Sequence, residues 1–213
     1  MTTDLKTESF DVYGHSIELL IPTDPDRLLD EAARLDGKDP YWGVVWKAAI
    51  DSANCVLRTE WPTNQRTLEL GCGAGLLGVA GLLAGLDITF SDHVPEAVEL
   101  AQENADRNGF PNAGGTIIDW QAPTPVPESE QYELLIASDV LYECSLHEPL
   151  LKAAEMMLKP EGSFRIGDPG RHNSRDFLNL ASDQGWRVEL FDRNLWQVGV
   201  PTHAKFHWIV LRK

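Results

Sequence analysis

From residue 66 onward, short apolar runs alternate with longer runs of helical period. Thr67-Leu68-Glu69-Leu70 reads as a strand that stops at Gly71, and Leu76 to Leu83 reads as an apolar helix. Asp87 to Asp92 is the next strand. Pro95, with its φ preset for a first helical turn, opens a helix through Asn108 that Gly109 stops. Further strands are predicted at Gly115 to Ile118, Tyr132 to Ser138, Gly162 to Gly167, Trp186 to Phe191 and Phe206 to Leu211, with helices over His147 to Leu158 and Ser174 to Gln184. The run Leu134-Leu135-Ile136-Ala137 is apolar on both of its faces, as a strand covered from both sides requires. Such alternation predicts an α/β fold whose mostly parallel sheet carries helices on both faces.

Upstream the pattern is less regular. Residues 10–21 alternate through Ile17, Leu19 and Ile21, predicting a short hairpin or strand before Pro22, and a polar-capped helix is predicted from Asp24 to Leu35. Another helix is expected from Val44 to about Arg58, with Trp46, Ile50 and Ala53 at helical spacing. Ala122-Pro123-Thr124-Pro125-Val126-Pro127 must be a loop, because proline serves neither a ladder nor a helix interior. These elements divide the chain into an N-terminal extension, residues 1–39, and a main domain, residues 40–213, that includes a lid helix over 43–58.

With 213 residues, 43% of them hydrophobic, the chain is long enough for a proper core in one domain. No apolar run reaches the roughly 20 residues of a membrane span, and the polar opening Met1-Thr2-Thr3-Asp4 lacks the marks of a signal peptide, so a cytoplasmic location is expected. Cys55, Cys72 and Cys144 are odd in number and show neither CxxC nor Cys/His ligand spacing; they read as reduced thiols, and no metal site is expected. The formal charge is −15, and residues 67–168 hold 17 acidic against 4 basic side chains. Duplex DNA or bulk RNA would be repelled by that field. The acid excess either keeps the protein in solution or attracts a cationic partner, such as a lysine-bearing protein.

Gly71, Gly73 and Gly75 let the backbone turn tightly between strand and helix and approach a ligand closely. Asp92 lies at the end of the following strand, where a carboxylate accepts both hydroxyl protons of a ribose. A nucleoside is therefore the expected ligand. Leu76 stands where a dinucleotide fingerprint needs its third glycine, which counts against nicotinamide dinucleotides. Asp139 ends another strand, and Tyr142 follows three residues later. Cys72 between two glycines reads as a small buried residue, with no histidine placed to activate it. Trp42 and Trp46 suit either a lid or the core, and Asp168-Pro169-Gly170 either a substrate-side rim with Arg171 or a plain turn.

Glu69-x-Gly71-x-Gly73-x-Gly75 with Asp92 resembles the class I, seven-β-strand S-adenosylmethionine-dependent methyltransferases. Asp139-Val140-Leu141-Tyr142, together with Pro40-Tyr41-Trp42-Gly43-Val44-Val45-Trp46, is similar to family 16 of these enzymes, largely protein-lysine N-methyltransferases. Gly167-Asp168-Pro169-Gly170-Arg171 resembles the branch containing electron-transfer flavoprotein β-subunit and nicotinamide N-methylase-like methyltransferases. The resemblance implies a Rossmann-like sheet of seven strands with the last one antiparallel, and a helical lid. It implies that the glycine loop cradles the methionyl portion of S-adenosylmethionine, that Asp92 binds its ribose and that Asp119 and Trp120 contact the adenine, with Glu69 and His93 also in the cofactor set. Asp119 as a turn residue and Trp120 as a core aromatic are the plainer alternatives. Trp46 and Ser138 complete the implied cofactor set, with Asp139 and Tyr142 as the catalytic pair. The expected enzyme is a monomer that methylates a lysine of a protein. A small amine or heterocycle is the alternative acceptor, and a nucleoside-binding scaffold without turnover is the alternative outside the enzyme class.

Overall fold

A computed structural model describes residues 4–24, 40–124 and 126–213. The chain opens with an antiparallel hairpin of β1 (Leu5–Val12) and β2 (His15–Pro22). Its two-residue turn, Tyr13-Gly14, has positive φ at both positions, the geometry that matches the twist of paired strands. The alternating stretch is thus the second half of a hairpin whose first strand starts earlier than its pattern suggested. The helix predicted over 24–35 lies, beyond Asp24, outside the described residues.

A 3₁₀ turn at Pro40–Gly43 leads to α1 (Lys47–Arg58). The sequence placed this helix start at Val44; instead Val44 N–H closes the 3₁₀ turn on the Tyr41 carbonyl, and Trp46 sits in extended conformation as the N-cap. Trp42 thus lies in the 3₁₀ turn, and Trp46 precedes the helix as its N-cap. Strands and helices then follow in turn: β3 (Arg66–Leu70), α2 (Leu76–Leu83), β4 (Asp87–Asp92), α3 (Pro95–Arg107), β5 (Gly114–Ile117), β6 (Tyr132–Ser138), α4 (His147–Met157), β7 (Leu158–Asp168), α5 (Ser174–Asp183), β8 (Arg187–Phe191), β9 (Gln197–Val198) and β10 (His207–Arg212). The sheet order is β5-β4-β3-β6-β7-β10-β8-β9. Pairings from β5 through β7 are parallel, while β10 runs antiparallel to both β7 and β8. The sheet has eight strands rather than the seven expected, because the two-residue β9 adds an edge hairpin to β8.

Each face of the sheet has its own core. Leu134, Ile136, Phe90 and Trp208 join Ala53, Val56, Leu77 and Val98 of α1, α2 and α3 on one side. Leu68, Leu135, Phe164 and Ile166 pack against Leu150, Leu151 and Phe177 of α4 and α5 on the other. The N-terminal hairpin belongs to the first core through Val12, Ile17 and Leu19, all fully buried. Asn104 of α3, also fully buried, accepts from Leu20 N–H at 2.6 Å and donates to the carbonyls of Leu20 and Ala74. One side chain thereby ties the hairpin to the glycine turn, meeting the requirement that buried backbone groups be bonded. Among the described residues no helix is long and apolar enough to cross a membrane.

Candidate active site

The carboxyl ends of β3, β4, β6 and β7 lie side by side in the sheet, and the loops leaving them converge. Between these loops and the segment 41–49 lies a cavity of about 420 Å³. All of Trp46, Glu69, Gly71, Gly73, Gly75, Asp92, His93, Asp119, Trp120, Ser138, Asp139 and Tyr142 line it.

The floor is main chain. Gly71, Gly73 and Gly75 take φ of 70°, 50° and 85°, a left-handed region that costs an L side chain roughly 1–2 kcal/mol per residue. At Gly73 a Cβ would also stand 2.9 Å from the Trp42 carbonyl oxygen, so the 3₁₀ turn lies against the bend only because glycine is there. Asp92, 6% exposed, fastens the bend from the next strand. Its Oδ2 accepts from Gly73 N–H at 3.2 Å, its Oδ1 from Val94 N–H at 3.1 Å, and His93 Nδ1 lies 3.3 Å from Oδ1. A carboxylate offers about four lone-pair positions, so capacity for hydroxyl donors remains. Glu69 is 2% exposed, and its Oε2 has no hydrogen-bond partner among the described residues. Burial, with Asp92 nearby, pushes its carboxyl well above the usual carboxylate range, while the Gly78 backbone amide pulls the other way. Cys72 is buried as well, and its thiol is pushed up rather than activated.

At one side Asp119 turns back on its own loop, Oδ1 accepting from Gln121 N–H at 2.8 Å. The Trp120 ring packs under the bend, 3.3 Å from where a Gly71 Cβ would stand, with its indole N–H buried and unpartnered among the described residues. Ser138 shares a 2.9 Å hydrogen bond with Ser52 of α1.

The opposite wall is side chain. Asp139 has φ of 59°, a conformation uncommon outside glycine, fixed by its N–H donating to the Gly167 carbonyl at 2.8 Å. A strained residue at the end of a central strand is a pointer to function. Asp139 is 8% exposed, and Arg171 Nε donates to its Oδ1 at 2.6 Å. Burial raises the Asp139 carboxyl above its ordinary range, opposed by the hydrogen bond and charge of Arg171. Tyr142 meets Tyr41 edge-on at 6.2 Å, and Tyr41 meets Trp46 in the same way at 6.0 Å, forming an aromatic rim. The sequence left Tyr41 without a role of its own, although it stands in the Pro40–Trp46 segment that carries the resemblance. Ser52 was also missed, since a lone serine in a helix carries none.

Five carboxyls line the cavity, those of Glu69, Asp92, Asp119, Asp139 and Glu143, and among the described residues no Lys or Arg does. Burial favours the neutral acid at Glu69, and the other carboxyls give a field suited to positive charge.

The model of the lysine methyltransferase family matches residues 33–184. Among curated proteins, the chain is 28% identical over 143 residues to a histidine protein methyltransferase 1 homolog of Dictyostelium discoideum, covering 65% of this chain and 46% of that protein. It is 26% identical over 137 residues to the electron transfer flavoprotein beta subunit lysine methyltransferase of Xenopus laevis, covering 62% and 54%. The chain thus spans about half the length of these curated relatives. Among solved structures, a TehB-like SAM-dependent methyltransferase from Corynebacterium glutamicum superposes with a TM-score of 0.63 at 22% identity, covering 89% of this chain and 99% of that one, which is a likeness of fold.

Proposed function

The chain belongs to the lysine methyltransferase family, and on that footing we propose that it is an S-adenosylmethionine-dependent N-methyltransferase acting on a lysine side chain of a protein. The observation that carries the reading is the cavity itself, with an all-acidic set of charged linings, a main-chain floor at one end and an aromatic rim at the other. Both the methyl donor and a lysine acceptor arrive as cations. Such a site favours each, through carboxylates and through the π faces of Tyr41, Trp46 and Tyr142.

The residues present fit the donor. In this reading the bend at Gly71, Gly73 and Gly75 lines the cavity with main chain and keeps its course because no Cβ meets Trp120, Trp42 or Ala101, Asp92 takes the ribose hydroxyls with its remaining lone pairs, and Trp120 borders the base. Bound there, S-adenosylmethionine would supply an electrophilic methyl group for in-line displacement by nitrogen, leaving a neutral thioether. The chain's own task is to present that nitrogen unprotonated. Asp139 faces the amine, taking or orienting the proton that leaves the ammonium, while Tyr142 and Tyr41 align the side chain and exclude water. No covalent nucleophile is required, in keeping with the buried, raised thiol of Cys72.

The test is transfer of a tritiated methyl group from the cofactor into cell lysate, followed by hydrolysis and separation of the methylated amino acids. Label in methyl-lysine is the expected result. Label confined to methyl-histidine or to small molecules would move the acceptor assignment, and cofactor binding with no transfer would remove the enzyme assignment.

A further inference from the structure

The Asp139 carboxylate presents its two oxygens differently. Oδ1 is taken by Arg171 Nε at 2.6 Å, whereas Oδ2 has no hydrogen bond among the described residues, and Asp139 lines the cavity. Arg171 is not itself a lining residue; it reaches Asp139 from the loop after β7, and among the described residues no Lys or Arg lines the cavity.

The loop that delivers Arg171 is unusually well fixed. Asp168, fully buried at the end of β7, accepts at one oxygen from Gly170 N–H at 2.8 Å, Arg171 N–H at 3.1 Å and Ser174 Oγ at 2.6 Å. Gly170 has φ of 86° and presses on the backbone of Lys205, where any Cβ would collide. Ala204 N–H donates to the Gly170 carbonyl at 2.8 Å, so the turn is held from the β10 side too. The turn fixes the point on the backbone from which the Arg171 guanidinium reaches Asp139, and its Cζ lies 5.7 Å from the Tyr142 ring centroid. The same cation therefore touches both residues proposed to meet the acceptor.

We propose that Arg171 is a positioning residue, holding the Asp139 carboxyl group turned so that its second oxygen is left for the acceptor amine, with the Asp168 turn as the mount. The inference deepens the proposed function and rests on it only for the word acceptor; the state of the carboxylate is measurable without turnover. Among the described residues, the charged groups shown acting on Asp139 are Arg171 and Asp168; Tyr142 lies against Arg171, and His207 stands opposite Asp168 in the β7–β10 ladder. Burial and Asp168 favour the neutral acid, and Arg171 alone of these is shown favouring the carboxylate.

The experiment is a ¹³C-carboxyl NMR titration of the aspartates in the wild-type protein, R171K, R171Q and R171M, with D139N assigning the Asp139 resonance. Thermal melting checks that each variant is folded, and R171K and R171Q keep the test open if R171M is not. Removing the cation is expected to raise the Asp139 midpoint by about one unit or more, and lysine is expected to restore most of the shift. In a methyl-transfer assay the acid limb of kcat/KM moves to higher pH by the same interval, with the cofactor Kd changed less than about twofold. An Asp139 midpoint equal in wild type and R171M or R171Q overturns the inference. A raised midpoint in a protein that transfers no methyl group keeps the ion pair's role in fixing Asp139 and rejects the proposed activity instead.

Discussion

The two ends of the cavity are made of different materials. The end proposed for the donor is backbone, three left-handed glycines of which Gly73 donates its amide to the Asp92 carboxylate on the neighbouring strand. The end proposed for the acceptor is side chain, with Asp139, Tyr142, Arg171 and Tyr41 brought from three separate loops. Backbone cradles tolerate almost no substitution but encode little choice. Side-chain walls encode choice, so the two ends should fail in different ways when altered.

The sharpest break falls at the acceptor end. Asp139→Asn keeps shape and removes the charge, and turnover is expected to fall about 10²- to 10⁴-fold, the usual scale for a lost proton acceptor, while calorimetry finds the cofactor Kd within about twofold. Equal losses in both would erase the division between the ends. Gly73→Ala should do the reverse, weakening cofactor binding about 10- to 100-fold through the strain of its φ and the contact with the Trp42 carbonyl. Asp92→Ala should weaken binding by about 1–3 kcal/mol, since it removes ligand contacts and also frees the Gly73 amide. An unchanged Kd in that variant would remove the ribose assignment.

The smallest effect expected is on the stability of the ligand-free protein. Glu69 is buried with its carboxyl pushed upward, so the native state holds that proton at a pH where the unfolded chain has released it. Stability from this group is fully present below the ordinary glutamate range and is lost as pH rises through the raised folded-state value. Glu69→Gln should flatten that decline in melts of the ligand-free protein across the window. A slope identical to wild type would show that the charge is compensated.

The contrast also explains what could be read without coordinates. The floor was legible because its parts lie in register along one stretch of chain, Glu69 and the three glycines at alternate positions and Asp92 at the end of the very next strand. The sheet was legible for the same reason, from strands as continuous as Leu134–Ala137. Arg171 and Asp139 stand 32 positions apart, and their contact depends on β6 and β7 being neighbours and on a turn gripped by Asp168. Two acidic strand ends, at Asp139 and Asp168, hinted at that closeness without giving the partner. The start of α1 was misplaced because Val44, Val45 and Trp46 continue a helical spacing, while Gly43 and the closure of a 3₁₀ turn hold the backbone extended until Lys47. Strand β9 is two residues long and leaves no period to detect.

The central claim is that one cavity holds the methyl donor by its backbone floor and points it at Asp139. A crystal structure of the protein with S-adenosylhomocysteine tests this most directly. The account predicts both ribose hydroxyls within hydrogen-bond distance of the Asp92 carboxylate, the amino-acid portion along Gly71–Gly75, and the sulfur facing Asp139 and Tyr142. A ligand seated elsewhere, or one whose sulfur faces away from Asp139, contradicts it.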